Sequence, residues 1–168
     1  MLWSRQEFNE ETVDWILDAY AWLFENFGGY ERFKKQTLVT PTPDFFPFTQ
    51  RDTHEFAIVL FETVKAYMGI EDWICDLEQM EVEDDEFAAV HGSSEFFEFK
   101  EGSAGGMFEQ DSLGRVRIFY RRHMLTEPYQ LVKTFAHELS HYLISSTVTE
   151  PPGGWKAEEF LADFTAIY

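Results

Sequence analysis

Apolar residues recur at spacings of three and four in two stretches near the start of the chain, which is the pattern of amphipathic helices. The first stretch covers residues 11–27 and ends at a glycine pair. The second covers residues 52–68, and either Asp52 or Thr53 can cap its first turn. We therefore expect two helices in this part of the chain.

The segment between these helices and the end of the chain carry different signals. Residues 37–40 (TLVT) have the composition of a short strand, whereas three prolines within residues 41–48 exclude regular helix and central strand. Helical spacing returns at about 127–145 and again at about 156–167, with a loop rich in proline and glycine between them. Two closing helices are therefore expected.

Alternating polar and apolar residues, the pattern of half-buried strands, fill the middle of the chain. The predicted strands are residues 76–82, 94–100, 105–110 and 115–121. The sequence DSLG at 111–114 predicts a turn between the last two of them. Helices, then a small sheet, then two more helices predict an α+β fold.

The length of the chain fits a single domain over residues 1–168. Within it we expect a helical part at about 1–70, a sheet at about 71–122 and a final helical part at about 127–168. Neither an internal repeat nor a low-complexity linker marks a boundary between domains.

The chain carries a net charge of −18, so its surface repels nucleic acid and anionic lipid. Nine acidic residues within 71–87 are typical of a solvated face, and their spacing does not match a calcium-binding EF-hand loop. A single cysteine, Cys75, excludes an internal disulfide. With no leader-type N-terminus and no apolar run of the roughly 18 residues that span a membrane, we expect a cytoplasmic protein without nucleic-acid or membrane partners.

The strongest chemical signal is the sequence HELSH, in which His137 and His141 are four residues apart on a predicted helix. Side chains at that spacing project from one face about one turn apart, so both imidazoles can bind one tetrahedral metal ion. Glu138 is rotated by roughly 100° from His137, so it can sit beside the metal and take a proton from metal-bound water. The pattern predicts a metal site with its own base.

Three alternatives compete with a metal site: a chance match, core histidines and ordinary surface histidines. Helix geometry disfavours core histidines, because both imidazoles point away from the centre of the apolar arc of their helix. That arc comprises Leu131, Val132, Phe135, Leu139 and Leu143. Surface histidines would require no acid at a suitable place farther along the chain.

The remaining histidines form no comparable motif. His54 and Glu55 repeat the first two letters of HELSH, but Ile58 stands where the second histidine would be. We therefore expect His54, like His91, to be exposed and to bind no metal.

A suitable acidic pair follows HELSH in the last predicted helix. Glu159 and Asp163 are four residues apart, so they share one stripe of that helix. The stripe adjoins the apolar residues that we expect to be buried, which are Phe160, Phe164 and Ile167. Glu158 points away from them and should be solvated. A buried carboxylate needs a compensating partner, and a metal ion or a ligand histidine provides one.

HELSH followed by EFLAD resembles the zincin metallopeptidases, and specifically their glutamate-ligand branch, the gluzincins. The resemblance implies Zn²⁺ as cofactor, with His137, His141 and Glu159 as ligands and water in the fourth position. It also implies that Glu138 is the general base and that Asp163 is the partner of a ligand histidine. The implied fold is zincin-like, with N-terminal helices and a small mixed sheet packed on the HELSH helix and on a C-terminal helix that carries Glu159. The chain would be either a minimal zincin or part of a longer one.

The implied function is zinc-dependent hydrolysis, most directly by a metallopeptidase acting on a peptide or protein. Zincins bind substrate as a strand added to a sheet edge, and Gly105, Gly106 and Met107 are the candidate edge because glycine lets another backbone come close. A flexible hairpin turn is the alternative role of these glycines. The rival function is a non-catalytic zincin scaffold that binds a partner or carries a structural metal, and a third is hydrolysis of a non-peptide amide. The oligomeric state stays open, as does the oxyanion donor, for which the candidates are Tyr129, Tyr142, His123 and Tyr168.

Overall fold

The computed structural model describes residues 9–46, 53–80 and 105–167. Contacts between Cα atoms divide the chain into two units. The terminal unit comprises Met1–Leu38 with Leu143–Tyr168, and the central unit comprises Val39–Tyr142. Within the described ranges, no helix combines the length and the apolar character that crossing a membrane requires.

The described elements confirm the α+β fold. In chain order they are α1 (Glu10–Asn26), α2 (Gly29–Phe33), α3 (His54–Met68), β1 (Cys75–Met80), β2 (Gly106–Gln110), β3 (Val116–Arg121), α4 (Pro128–Ser145) and α5 (Glu158–Ile167). Short 3-10 helices at Arg122–Thr126 and Trp155–Ala157 precede α4 and α5. The four predicted helices and three of the predicted strands are thereby confirmed, with ends that shift by a few residues. The strand predicted at 94–100 lies outside the described residues.

Two short segments near the start of the chain differ from their predictions. Residues 37–40 are irregular, so the strand predicted there is wrong. A strand-like composition is stable as a strand only where a neighbour pairs with it. Helix α2 was not predicted, because five residues next to a glycine pair show too little periodicity.

Local capping explains where the first and third helices begin. The Asn9 Oδ1 atom accepts a hydrogen bond from the backbone N–H of Thr12 at 2.7 Å, which fixes the start of α1. The Thr53 Oγ1 atom accepts one from the backbone N–H of Phe56 at 3.2 Å, so Thr53 caps α3. Helix α3 ends at Met68 and is capped by Gly69, whose φ of 71° glycine adopts without strain.

The core of the terminal unit is formed by α1, α5 and the last turn of α4. Its buried residues are Ala19, Trp22, Leu23, Ile144, Leu161 and Ala162. Half-buried aromatic rings surround this core, and the rings of Trp15 and Phe164 meet edge to face at 5.5 Å.

Helix α5 buries a different face from the one that its sequence predicts. Phe160 and Ile167 are 67% and 63% exposed, whereas Glu158 is only 4% exposed. The predicted burial of Phe160 and Ile167 and the predicted solvation of Glu158 are therefore wrong. Apolar residues lie on more than one side of this helix of 10 residues, so their spacing does not determine which side faces the core.

The central unit contains a mixed sheet of three strands in the order β1–β3–β2. Strand β3 is parallel to β1 and antiparallel to β2. Ile118 and Tyr120 on β3 are fully buried, as their alternation predicts. The ring of Phe135 on α4 meets those of Tyr120 and Phe61 edge to face, at 5.8 and 5.3 Å, so α3 and α4 pack together on this face of the sheet.

The thiol of Cys75, at the start of β1, is half-buried, and its burial raises its pKa to about 11. Because only the thiolate reacts, we expect alkylation by iodoacetamide at pH 8 to be about 100-fold slower in the folded protein than in the unfolded chain. The rate should rise with pH toward half-maximum near pH 11, with the guanidinium-unfolded protein as the control. Equal rates for folded and unfolded protein would contradict this burial.

Candidate metal centre

The two histidines of HELSH meet at their ring nitrogens. On α4 the Nε2 atoms of His137 and His141 are 3.2 Å apart, and the ring planes are inclined by 80°. Two nitrogen lone pairs repel each other at that distance unless a proton or a cation lies between them. Two nitrogens bound to one tetrahedral Zn²⁺ at its usual bond length lie about 3.3 Å apart. The separation therefore fits two ligands of one zinc ion.

Glu159 offers a third ligand atom. Among the described residues, one ligand atom each from His137, His141 and Glu159 lies within 4.8 Å of the others, and these three form a group that can hold a metal ion. His141 is buried, His137 is half-buried and Glu159 is exposed. The exposure of Glu159 contradicts the expectation that its stripe is buried, although the residue itself joins the predicted set.

His141 is buried, although its helix phase predicts a position away from the core. It is 4% exposed, and Ile144 is fully buried on α4, whereas Leu143 of the predicted arc is only half-buried. The ring of Phe108 on β2 stacks on the imidazole of His141, with centroids 6.3 Å apart and planes inclined by 22°. Strand β2 thus covers a side of α4 that the helical periodicity alone assigns to the surface.

Glu138 lies where Gly106 of β2 packs against α4. Its side chain is buried, at 6% exposure. A Cβ atom added to Gly106 would lie 3.0 Å from Glu138 Cγ and 2.5 Å from Thr134 Cγ2. Gly106 is thus required by the close packing of the strand against the helix, and this packing confines Glu138 beside the histidine pair.

The candidate substrate residues Gly105, Gly106 and Met107 lie at the start of β2. Gly106 pairs with Tyr120 in the ladder rather than forming a turn. Side chains of the protein itself fill the space beside both glycines, with Met124 and Thr134 next to Gly105. Met107 is 7% exposed. A role of these residues in substrate binding stays a prediction, but the glycines accommodate α4 and its neighbours.

An aromatic cluster next to His141 was missed at the level of sequence. The ring of Tyr142 lies 6.1 Å from that of Phe108 and 4.8 Å from that of Trp73. The Tyr142 hydroxyl donates a hydrogen bond to the backbone oxygen of Ile74 at 3.2 Å, and burial raises the pKa of this phenol. Alternation along β2 could have identified Phe108, because it lies two residues beyond Gly106 and shares its face.

The second His–Glu pair of the sequence has a structural environment of its own. His54 is half-buried rather than exposed, so that prediction is wrong, and its Nδ1 atom lies 2.9 Å from the Tyr120 hydroxyl. Burial raises the pKa of Tyr120 to about 12, so the phenol stays protonated and donates to Gln79 Oε1 at 3.3 Å. His54 therefore helps to satisfy a buried tyrosine at the sheet.

The remaining candidate residues are exposed or lie outside the described residues. Tyr129, His123 and Asp163 are exposed, and the role of Asp163 as partner of a ligand histidine stays a prediction. His91 and Tyr168 lie outside the described residues.

Similarity to known proteins adds no information about this centre, and the arrangement of the residues alone supports it. No protein-family model, curated protein or solved structure matches the chain.

Proposed function

We propose that this protein is a zinc-dependent hydrolase of the zincin type, most directly a metallopeptidase. In this proposal His137, His141 and Glu159 hold Zn²⁺, and Glu138 is the general base. The observation that carries the proposal is the separation of 3.2 Å between the Nε2 atoms of the two histidines. A buried glutamate follows the first of them directly in the chain.

The composition of the ligand group favours a catalytic site over a structural one. Two imidazole nitrogens and one carboxylate oxygen are a donor set typical of catalytic zinc. Structural zinc sites fill all four tetrahedral positions with protein ligands, whereas a group of three leaves one position for water or substrate. Among the described residues the group has three members, which supports hydrolysis rather than a purely structural metal.

Glu138 performs the proton transfers in this mechanism. When bound by His137, His141 and Glu159, Zn²⁺ would act as a Lewis acid that polarises the substrate carbonyl and lowers the pKa of water to about 7. Glu138 accepts a proton from the attacking water as the new C–O bond forms. It then passes that proton to the leaving nitrogen as the C–N bond breaks, so the carboxylate is regenerated. The burial of Glu138 against β2 keeps this carboxylate in one place through both transfers.

The charge of the protein restricts its substrates. A net charge of −18 slows the approach of acidic peptides and favours neutral or cationic ones. We therefore expect peptides rich in lysine or arginine to have a higher kcat/KM than acidic peptides at low salt. This difference should shrink as salt screens the surface.

The proposal is tested by zinc content. Untagged protein purified without added metal should contain about one zinc per chain, because the one group of three ligand residues can hold one ion. His137→Ala and His141→Ala should each lose this zinc, whereas His123→Ala, which changes an exposed histidine outside the group, should keep it. Elemental analysis measures the content directly, and wild-type protein that neither contains zinc nor takes it up on titration would overturn the proposal.

A further inference from the structure

Strand β2 presents two residues to the metal-site face of α4. Gly106 and Phe108 lie opposite Tyr120 and Ile118 in the antiparallel ladder, so all four residues share one face of the sheet, on which Tyr120 and Ile118 are fully buried and Phe108 is half-buried. Gly106 packs against Glu138, and Phe108 stacks on His141. One strand thus contacts both the proposed base and a proposed ligand.

The contact between Phe108 and His141 constrains the orientation of a ring. The imidazole of a histidine rotates about two side-chain torsion angles. Its Nε2 atom points toward an ion shared with another histidine only within a narrow range of the second torsion angle. The Phe108 ring lies beside the imidazole in an offset, nearly parallel arrangement, with centroids 6.3 Å apart and planes inclined by 22°, and it opposes that rotation. The observed orientation is the one that brings Nε2 of His141 to 3.2 Å from Nε2 of His137.

Phe108 is itself held in place by other side chains. Its ring lies 6.1 Å from that of Tyr142, inclined by 31°. Tyr142 packs edge to face on Trp73 and donates its hydroxyl proton to Ile74. The support behind His141 therefore extends from β2 to the segment that precedes β1, and it is formed by rings with few rotatable bonds.

The absence of a side chain at Gly106 determines how close β2 lies to α4. A Cβ atom at this position would lie 2.8 Å from the backbone oxygen of Phe119 and 2.5 Å from Thr134 Cγ2. Neither atom can move aside without a large cost in energy, because one belongs to the backbone and the other to a stiff β-branched side chain. Only glycine lets β2 approach α4 closely enough for the ring of Phe108 to reach His141.

We infer that Phe108 is a positioning residue for the metal site, which holds the imidazole of His141 so that its Nε2 atom faces that of His137. This inference rests on the proposed function, because it concerns the same two ligands. It adds a contact made by an aromatic ring to the hydrogen bonds that usually orient ligand histidines.

The test uses Co²⁺, whose visible absorption reports coordination geometry as well as binding. Phe108→Leu keeps an apolar side chain but removes the flat ring, and it should weaken Co²⁺ binding by about 3- to 10-fold and change the absorption bands. Phe108→Tyr restores a ring and should behave like the wild type. Phe119→Leu is the matched control, because it makes the same change at a buried phenylalanine of the neighbouring strand β3 that lies on the opposite face of the sheet, and it should bind Co²⁺ like the wild type.

Far-UV circular dichroism and thermal unfolding show whether each variant is folded, and Phe108→Met replaces Phe108→Leu if the latter is not. Wild-type affinity and unchanged bands in a folded Phe108→Leu or Phe108→Met protein would overturn the inference while leaving the zinc site intact. If the wild-type protein binds neither Co²⁺ nor Zn²⁺, the proposed function fails, and the inference fails with it. Equal losses of Co²⁺ affinity in Phe108→Leu and Phe119→Leu would assign the effect to general packing and would also overturn the inference.

Discussion

Glu138→Gln will retain zinc and the fold but lose at least ~10²–10⁴-fold in kcat, the range typical of general-base catalysis. The change replaces one carboxylate oxygen by an amide nitrogen of similar size, so the packing against Gly106 is preserved. The amide cannot accept the proton of the attacking water. Since substrate binding does not require that proton transfer, we expect KM to change little.

The measurement needs a substrate, which a mixed peptide library at low salt can supply. Glu55→Gln is the matched control. Glu55 also directly follows a histidine, but it is exposed, and no second histidine lies four residues after the first. Its kcat should equal that of the wild type. If Glu138→Gln protein hydrolyses the same peptide at the wild-type rate, Glu138 is not the base, even where zinc is bound.

Glu158→Gln and Glu159→Gln will change different properties, although the two residues are adjacent on α5. The first will lower the stability of the fold, and the second will lower the affinity for zinc. Glu159 belongs to the ligand group and is exposed, so its replacement should lower zinc affinity by more than about 100-fold and leave the free energy of unfolding of the zinc-free protein nearly unchanged. Removing a residue that only hydrogen-bonds to a metal ligand lowers metal affinity by about 10- to 100-fold. Removing a ligand itself should lower the affinity further.

Glu158 is buried, at 4% exposure, so it contributes to the fold instead. Its replacement should lower the free energy of unfolding by about 1–3 kcal/mol, the usual effect of disturbing a buried polar contact, and should barely change zinc affinity. Competition with a chelator measures the affinity, and urea unfolding of zinc-free protein measures the stability. A larger loss of affinity in Glu158→Gln than in Glu159→Gln would show that the wrong glutamate has been assigned.

The parts of this fold that were predictable have strong local signals. The start of α3 follows from its capping residue Thr53, α1 follows from the spacing of its apolar residues, and the strands around residues 111–114 follow from alternation on either side of a turn. The HELSH histidines could be paired from the sequence because a spacing of four residues on a helix brings two side chains together regardless of the rest of the fold.

The parts that were not predictable depend on contacts between elements. The buried face of α5 could not be read from a helix with apolar residues on several sides, and so the burial of Glu158 was missed. The burial of His141 depends on β2, which is distant in the sequence and adds a ring to that side of α4. His54 was assigned to the surface for the same reason, since its partner Tyr120 belongs to the sheet.

The close approach at Gly106 also has a consequence for finding relatives of this protein. Any chain that keeps this packing has to keep glycine at the equivalent position, because a Cβ atom there would lie 2.8 Å from a backbone oxygen. A chain that also keeps the ring beside His141 has an aromatic residue two positions after that glycine, in a strand that precedes HExxH. A search for that glycine and aromatic pair together with the histidine motif is more selective than a search for HExxH, which recurs by chance in unrelated proteins.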